Sequence, residues 1–149
     1  MRDNPLRARF ENSAANELGR VFRHLNRSFG EALKGHGLSA LQANMLMELW
    51  LQGPLSVGAL QRHMSLASSS LSGALDRMER AGLVRRVPSP EDRRSFVIEP
   101  ADWQDDQKQA VMETLVDTED EFFAPLSPLE RRQLLGLLRK ISAPVRNAG

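Results

Sequence analysis

Arginine is the side chain through which this chain can do chemistry. Arg77, Arg80, Arg85, Arg86, Arg93 and Arg94 crowd one central stretch, and the last two close the run Pro88-Ser89-Pro90-Glu91-Asp92-Arg93-Arg94. A guanidinium never loses its charge near neutrality, and its planar fork of donors matches phosphate or carboxylate oxygens two at a time. Just upstream, Ser68, Ser69, Ser70 and Ser72 offer hydroxyls that donate or accept. Phosphate is the partner such a set fits.

Other chemistries lack their parts. The sequence holds no glycine-rich phosphate loop, no Gly-x-Ser-x-Gly and no acid paired with histidine at usable spacing, and Ser70 has no base nearby in sequence. We expect no enzyme and no cofactor. Cysteine is absent, which excludes disulfides, thiolate zinc sites and thiol redox sensing. His24, His36 and His63 are scattered without ligand spacing, so no metal site is expected.

The elements that must hold these side chains can be read from periodicity. Leu60 and Met64 follow Ser56 and Val57 as a short helix, Ser65-Leu66-Ala67 turns the chain, and Leu71, Ala74, Leu75 and Met78 give a second helix over Ser68–Ala81. Gly82 stands where a left-handed cap wants no Cβ. Leu83–Val87 and Ser95–Ile98 are apolar or β-branched runs, and the prolines and acids between them favour a turn. A helix–turn–helix followed by a basic-tipped hairpin suits two adjacent grooves of duplex DNA. No Arg, Asn or Gln lies between Ala67 and Asp76. Serines read bases ambiguously, so phosphate contacts and minor-groove shape should carry more of the binding than major-groove readout.

Flanking this unit, Leu18, Val21, Phe22, Leu25, Phe29 and Leu33 predict an amphipathic helix that Gly35-His36-Gly37 stops, after a loose arm up to about Ser13. Ser39-Ala40-Leu41-Gln42 and Ser127-Pro128-Leu129-Glu130 are capping boxes that open two further helices. Between the hairpin and the second box, Asp102 is the expected cap of a long helix carrying Trp103, Val111, Leu115 and Phe122. The terminal helices bear more apolar stripe than the middle can cover. Either they wrap the same core or they pair with a second copy, and pairing is the favoured reading.

The 149 residues suit one domain, and 41% apolar content supports a core. A net charge of +1 hides a split between the arginine-rich centre and an acidic stretch from Asp102 to Glu121. No run is long and apolar enough for a membrane span, and Met1–Arg7 lacks the apolar centre of a signal peptide, so the cytoplasm is the expected location.

These residues resemble the MarR family of winged-helix transcription regulators. The resemblance runs from about Leu38 to Arg94: Leu38-Ser39, Gln42, Leu46 and Leu49; Gly53-Pro54-Leu55-Ser56-Val57 and Leu60; Leu71, Leu75–Glu79 and Gly82-Leu83-Val84; then Arg86, Pro88 and Pro90–Arg94. The Asp-Arg-Arg wing tip is its most specific part. The sequence departs from the pattern at Ser65, Ala67, Gly73 and Pro100–Trp103.

The resemblance implies a mostly α fold with a small β-wing, divided as residues 1–37 (arm and dimerisation helix), 38–100 (winged helix–turn–helix) and 101–149 (long helix and C-terminal dimerisation helix). It implies a homodimer on a pseudo-palindromic operator in double-stranded DNA, acting as a repressor that a small aromatic or phenolic effector releases. Arg94 would enter the minor groove with Arg93 beside it, Asp92 would orient an arginine, and Arg77 and Arg86 would stand against phosphate. Trp50 and Trp103 are either core or the lining of an effector pocket. Two rival readings are a protein-binding winged-helix adaptor and a metal-responsive sensor. The adaptor has no reason to place Asp92-Arg93-Arg94 at a hairpin tip.

Overall fold

The computed structural model describes residues 5–90, 92 and 94–146. In chain order they form α1 (Pro5–Glu11), α2 (Ala14–Ala32), a 3-10 turn (Leu33–His36), α3 (Ala40–Gln52), β1 (Leu55–Ser56), α4 (Val57–Met64), α5 (Ser68–Arg80), β2 (Val84–Pro88), β3 (Phe96–Pro100), α6 (Asp105–Phe122) and α7 (Pro128–Arg146). The architecture is mostly α with one small antiparallel sheet, as expected.

Local chemistry sets most of the boundaries. Ser39 Oγ accepts from the Gln42 amide and Gln42 Oε1 accepts from the Ser39 amide, closing the first capping box around α3. Ser56 Oγ accepts from the Ala59 amide at the start of α4. The Ser127–Glu130 box opens α7 in the same manner, and the hydroxyl and amide of Ser127 hold the Glu130 carboxyl below its ordinary range. At the end of α5, Gly82 takes φ +71°, which lets the Leu83 amide reach back 2.9 Å to the Met78 carbonyl.

Three expectations need correction. The arm before Ser13 contains α1, where Arg7 and Glu11 pair at 2.7 Å one turn apart. Asp102 does not cap the long helix: the Gln104 amide donates to Gln107 Oε1 at its start, and Asp102 is drawn instead to Arg85. Trp103 therefore precedes α6 rather than riding on it.

The core is one cluster centred on the middle unit. Leu33, Met45, Leu46, Leu49, Leu60, Leu71, Leu75, Met78, Val84, Ile98 and Val111 are fully buried. They come from the 3-10 turn, α3, α4, α5, the sheet and α6, so the helix–turn–helix is built directly on the hydrophobic centre. The strand order is β1-β3-β2, with Leu55 opposite Ile98 and Arg86 opposite Ile98 on the other side. β1 is only two residues long, too short for a period-two pattern to reveal it in the sequence.

The terminal helices are covered only in part. α2 reaches the core through Phe29 at its C-terminal end, whereas Leu18, Val21 and Phe22 are exposed. None of the described side chains of α7 is buried, and Leu135, Leu137 and Ile141 face solvent. Its start is pinned to the end of α6 by Arg131, which donates to the Phe123 and Asp120 carbonyls and pairs with the Asp120 carboxylate at 2.6 Å. Among the described residues, no helix is long and apolar enough to cross a membrane.

Candidate nucleic-acid interface

α4 and α5 meet at a turn in which Ser65 takes the left-handed conformation, φ 50°, without being glycine. Such a conformation costs a non-glycine residue roughly 1 kcal/mol, and here it lets the Leu66 amide donate to the Gln61 carbonyl. Ala67 then occupies the N-cap of α5 in extended backbone and supplies no side-chain acceptor. Leu71, Ala74, Leu75 and Met78 fix the inner face of α5 in the core. Ser68, Ser69, Ser70, Ser72 and Arg77 are left on the exposed face. A Cβ at Gly73 would stand 3.4 Å from Arg77 Nη1, ordinary contact with the end of a flexible side chain, so the geometry there does not require glycine.

Asp92 organises the wing tip. Its Oδ1 accepts from the Arg94 amide at 2.9 Å, and its carbonyl accepts from the Ser95 amide and hydroxyl, both at 2.9 Å. Ser89, nearly buried, closes the ribbon by donating its amide to the Ser95 carbonyl. Asp92 thus orients the backbone that carries Arg94, and the Arg94 side chain projects into solvent. Arg93, expected beside it, lies outside the described residues.

The remaining arginines divide by what they touch. Among the described residues, Arg77 and Arg94 make no ion pair. Arg86 is different: its fork meets Asp76 Oδ1 and Glu79 Oε2, each at 2.6 Å, on the exposed side of α5. The resemblance sets Arg86 against phosphate; here its fork meets two carboxylates one helical turn apart and so ties β2 to α5. The hydrogen bond from Arg86 holds Asp76 below the usual carboxylate range, and the same bond raises the arginine. Arg85 on the opposite face spans Glu99 and Asp102 at 3.2 and 3.1 Å, and Asp102 foremost raises its pKa. Sequence spacing could not have shown either pairing, because these partners lie seven to seventeen residues away, on α5, in β3 or just beyond it.

Trp50 and Trp103 come together, with ring centroids 5.4 Å apart in an edge-to-face arrangement against the core. The Trp103 indole donates to the Leu83 carbonyl at 3.4 Å, and Trp50 Nε1 is buried without a hydrogen-bond partner among the described residues. A cleft between the end of α6 and α7 is lined by Phe123, Leu134, Leu135 and Leu138 with Glu119 and Arg131, and neither tryptophan touches it. The histidines stay apart: His36 Nε2 lies 2.8 Å from Thr114 Oγ1 and His63 Nδ1 lies 3.1 Å from Glu48. Among the described residues no group of three or more His, Asp or Glu is placed to hold a metal ion.

Comparison with known proteins agrees with this geometry. A model of the MarR family matches residues 38–96, the span from α3 to the wing. The HTH-type transcriptional regulator PecS of Dickeya dadantii is 30% identical over 127 residues, covering 83% of this chain and 76% of PecS. Among solved structures, a cysteine-to-serine mutant of MarR from E. coli complexed with operator DNA superposes with a TM-score of 0.78 at 22% identity, covering 85% of this chain and 91% of that one. Bordetella bronchiseptica BpsR, solved in work on regulation of its DNA binding by 6-hydroxynicotinic acid, gives 0.77 at 24% identity, covering 89% and 95%.

Proposed function

The chain belongs to the MarR family of transcriptional regulators, and from that premise we propose that it works as a homodimeric repressor on a pseudo-palindromic operator. The observation that carries the reading is Arg94. It stands in solvent at the end of a turn that Asp92 fixes, on a ribbon tied through Arg86 to α5. That suits a guanidinium to the minor groove while the serine face of α5 lies in the neighbouring major groove. Arg77 positions the helix against phosphate, and Arg93 adds charge beside Arg94. Ser68, Ser69, Ser70 and Ser72 contribute short, sequence-tolerant hydrogen bonds.

Support for a dimer comes from the exposed apolar side chains of α2 and α7, which a second copy would cover. The effector is a small aromatic or phenolic molecule, as 6-hydroxynicotinic acid is for BpsR. The tryptophan seam is its proposed place, because Trp50 Nε1 offers a buried donor with no acceptor among the described residues.

The test is a binding titration with duplex from immediately upstream of the protein's own gene. If a dimer neutralises about six phosphates, log K falls with log[salt] at a slope of about −5. Binding that ignores salt, or a monomer at micromolar concentration, would refute the reading.

A further inference from the structure

We propose that Phe96 is a further DNA-contact residue, whose ring packs on the deoxyribose of the backbone strand between the groove under α5 and the groove under the wing tip. The proposal rests on the DNA-binding reading above and adds a contact that charge alone does not supply.

Phe96 opens β3 and is 53% exposed, although it shares a face with Ile98, which is fully buried. Residues two apart on a strand point the same way, and residues directly opposite across an antiparallel pair share a side. Ile98 is opposite Arg86, and Arg86 reaches Asp76 and Glu79 on α5. That face of the ribbon therefore looks toward α5. Phe96, opposite Pro88, is the next step along the same face toward the tip. β1 pairs with β3 only as far as Val97, so beside Phe96 that edge of β3 has no strand partner in the described sheet.

The ring and Pro88 thus make an exposed apolar step in the notch between α5 and the Arg94 tip. A lone exposed apolar residue is ordinary. This one is continuous with the proposed interface, with a serine-lined helix on one side and the solvent-facing Arg94 on the other. A recognition helix in one groove and a wing in the next straddle the sugar–phosphate ridge between them. Arg77 and Arg94 are suited to its phosphates, and the apolar carbons of its sugars are what a phenyl ring can cover. Such a contact positions the protein without reading sequence.

The test is fluorescence anisotropy with the full chain, on the upstream duplex and on an unrelated duplex, over a series of salt concentrations. Covering roughly 30 Å² of each phenyl ring, a part of its exposed area, at about 25 cal/mol per Å² corresponds to about a tenfold change in the affinity of the dimer. Phe96→Ala is expected to weaken both duplexes by that factor, with the salt slope and melting temperature of the wild type. Phe96→Leu is expected to retain most of the affinity. Wild-type affinity in Phe96→Ala, or a loss confined to the upstream duplex, overturns the proposal. Should Phe96→Ala fold poorly, Phe96→Leu against Phe96→Gln decides: equal affinities overturn it, and a loss in Gln alone supports it. A wild type that binds neither duplex ends the DNA-binding reading itself, whereas a wild type that binds and a Phe96→Ala that binds equally end only this inference.

Discussion

Arg86 and Asp76 meet at 2.6 Å across the gap between the wing and the recognition helix, and Glu79 takes the other end of the same guanidinium. Two elements that the proposed function sets in neighbouring grooves are thereby joined by one side chain. The pair is partly open to solvent, so its value lies less in stability than in fixing an angle. Arg86→Ala is expected to weaken DNA binding several-fold while leaving the salt slope near that of the wild type, because the lost charge was already matched by carboxylates. Arg86→Lys is expected to restore little, since an ammonium cannot present the planar fork to two acceptors. A slope reduced by about one per protomer would instead mean that Arg86 touches phosphate.

The same pair sets a pH dependence with a definite sign. Asp76 is lowered in the folded state chiefly by its hydrogen bond from Arg86. A depressed carboxylate contributes stability that is fully present above its unfolded value, about 3.9, and is lost as pH falls through the folded value. Between pH 5 and 8 the pair should therefore leave stability flat. Thermal melts are expected to show Asp76→Asn less stable than the wild type at neutral pH, with the two curves converging in strong acid. Parallel curves down to the lowest pH would show that the bond contributes nothing in solution.

Arg94 carries its charge without a carboxylate partner among the described residues, so its removal should be felt in both affinity and salt dependence. Arg94→Ala is expected to reduce the magnitude of the slope by about one per protomer. Its loss of affinity should exceed that of any single change among Ser68, Ser69, Ser70 and Ser72 to alanine. A titration series over salt checks both. The reverse order would place readout in α5 instead of the wing.

Much of this is legible in the residues because it depends on local chemistry. The capping boxes at Ser39 and Ser127, the glycine cap at Gly82 and the hairpin around Asp92 are decided by neighbours a few positions apart. What escapes is decided by distance in sequence. In the sequence Arg85 and Arg86 look like free cations, because Asp102, Asp76 and Glu79 reach them only once β2 folds beside α5 and β3. Asp102 is drawn from its expected cap for the same reason, leaving Gln104 to start α6. α1 is invisible to periodicity because seven residues give too few turns for a stripe to show.

The apolar faces of the end helices give a prediction about assembly. Leu137 and Ile141 lie on α7 at 60% and 64% exposure, and a monomer gains nothing from holding them in water. Leu137→Asp with Ile141→Asp is expected to shift the protein from dimer to monomer in sedimentation velocity and to abolish tight operator binding. Circular dichroism should change little, because the buried cluster draws on neither residue. A dimer that survives both charges would move the interface to α1 and α2.

Ala67 allows the folding and binding roles of α5 to be separated at one position. Its backbone has the extended geometry of an N-cap, yet no side chain there accepts from the first amides of the helix. Serine or aspartate at an N-cap is worth about 1 kcal/mol over alanine, and aspartate also favours the positive end of the helix dipole. Both Ala67→Ser and Ala67→Asp are therefore expected to raise the melting temperature by a few degrees. Their effects on DNA should diverge. Serine adds no charge and should leave affinity close to that of the wild type. Aspartate sets a negative charge where the proposed function brings the helix start to phosphate, and should weaken binding at least tenfold at low salt and less at high salt. Were aspartate to bind as well as serine, the start of α5 would lie outside the DNA contact, and the serine face would lose its place in the interface.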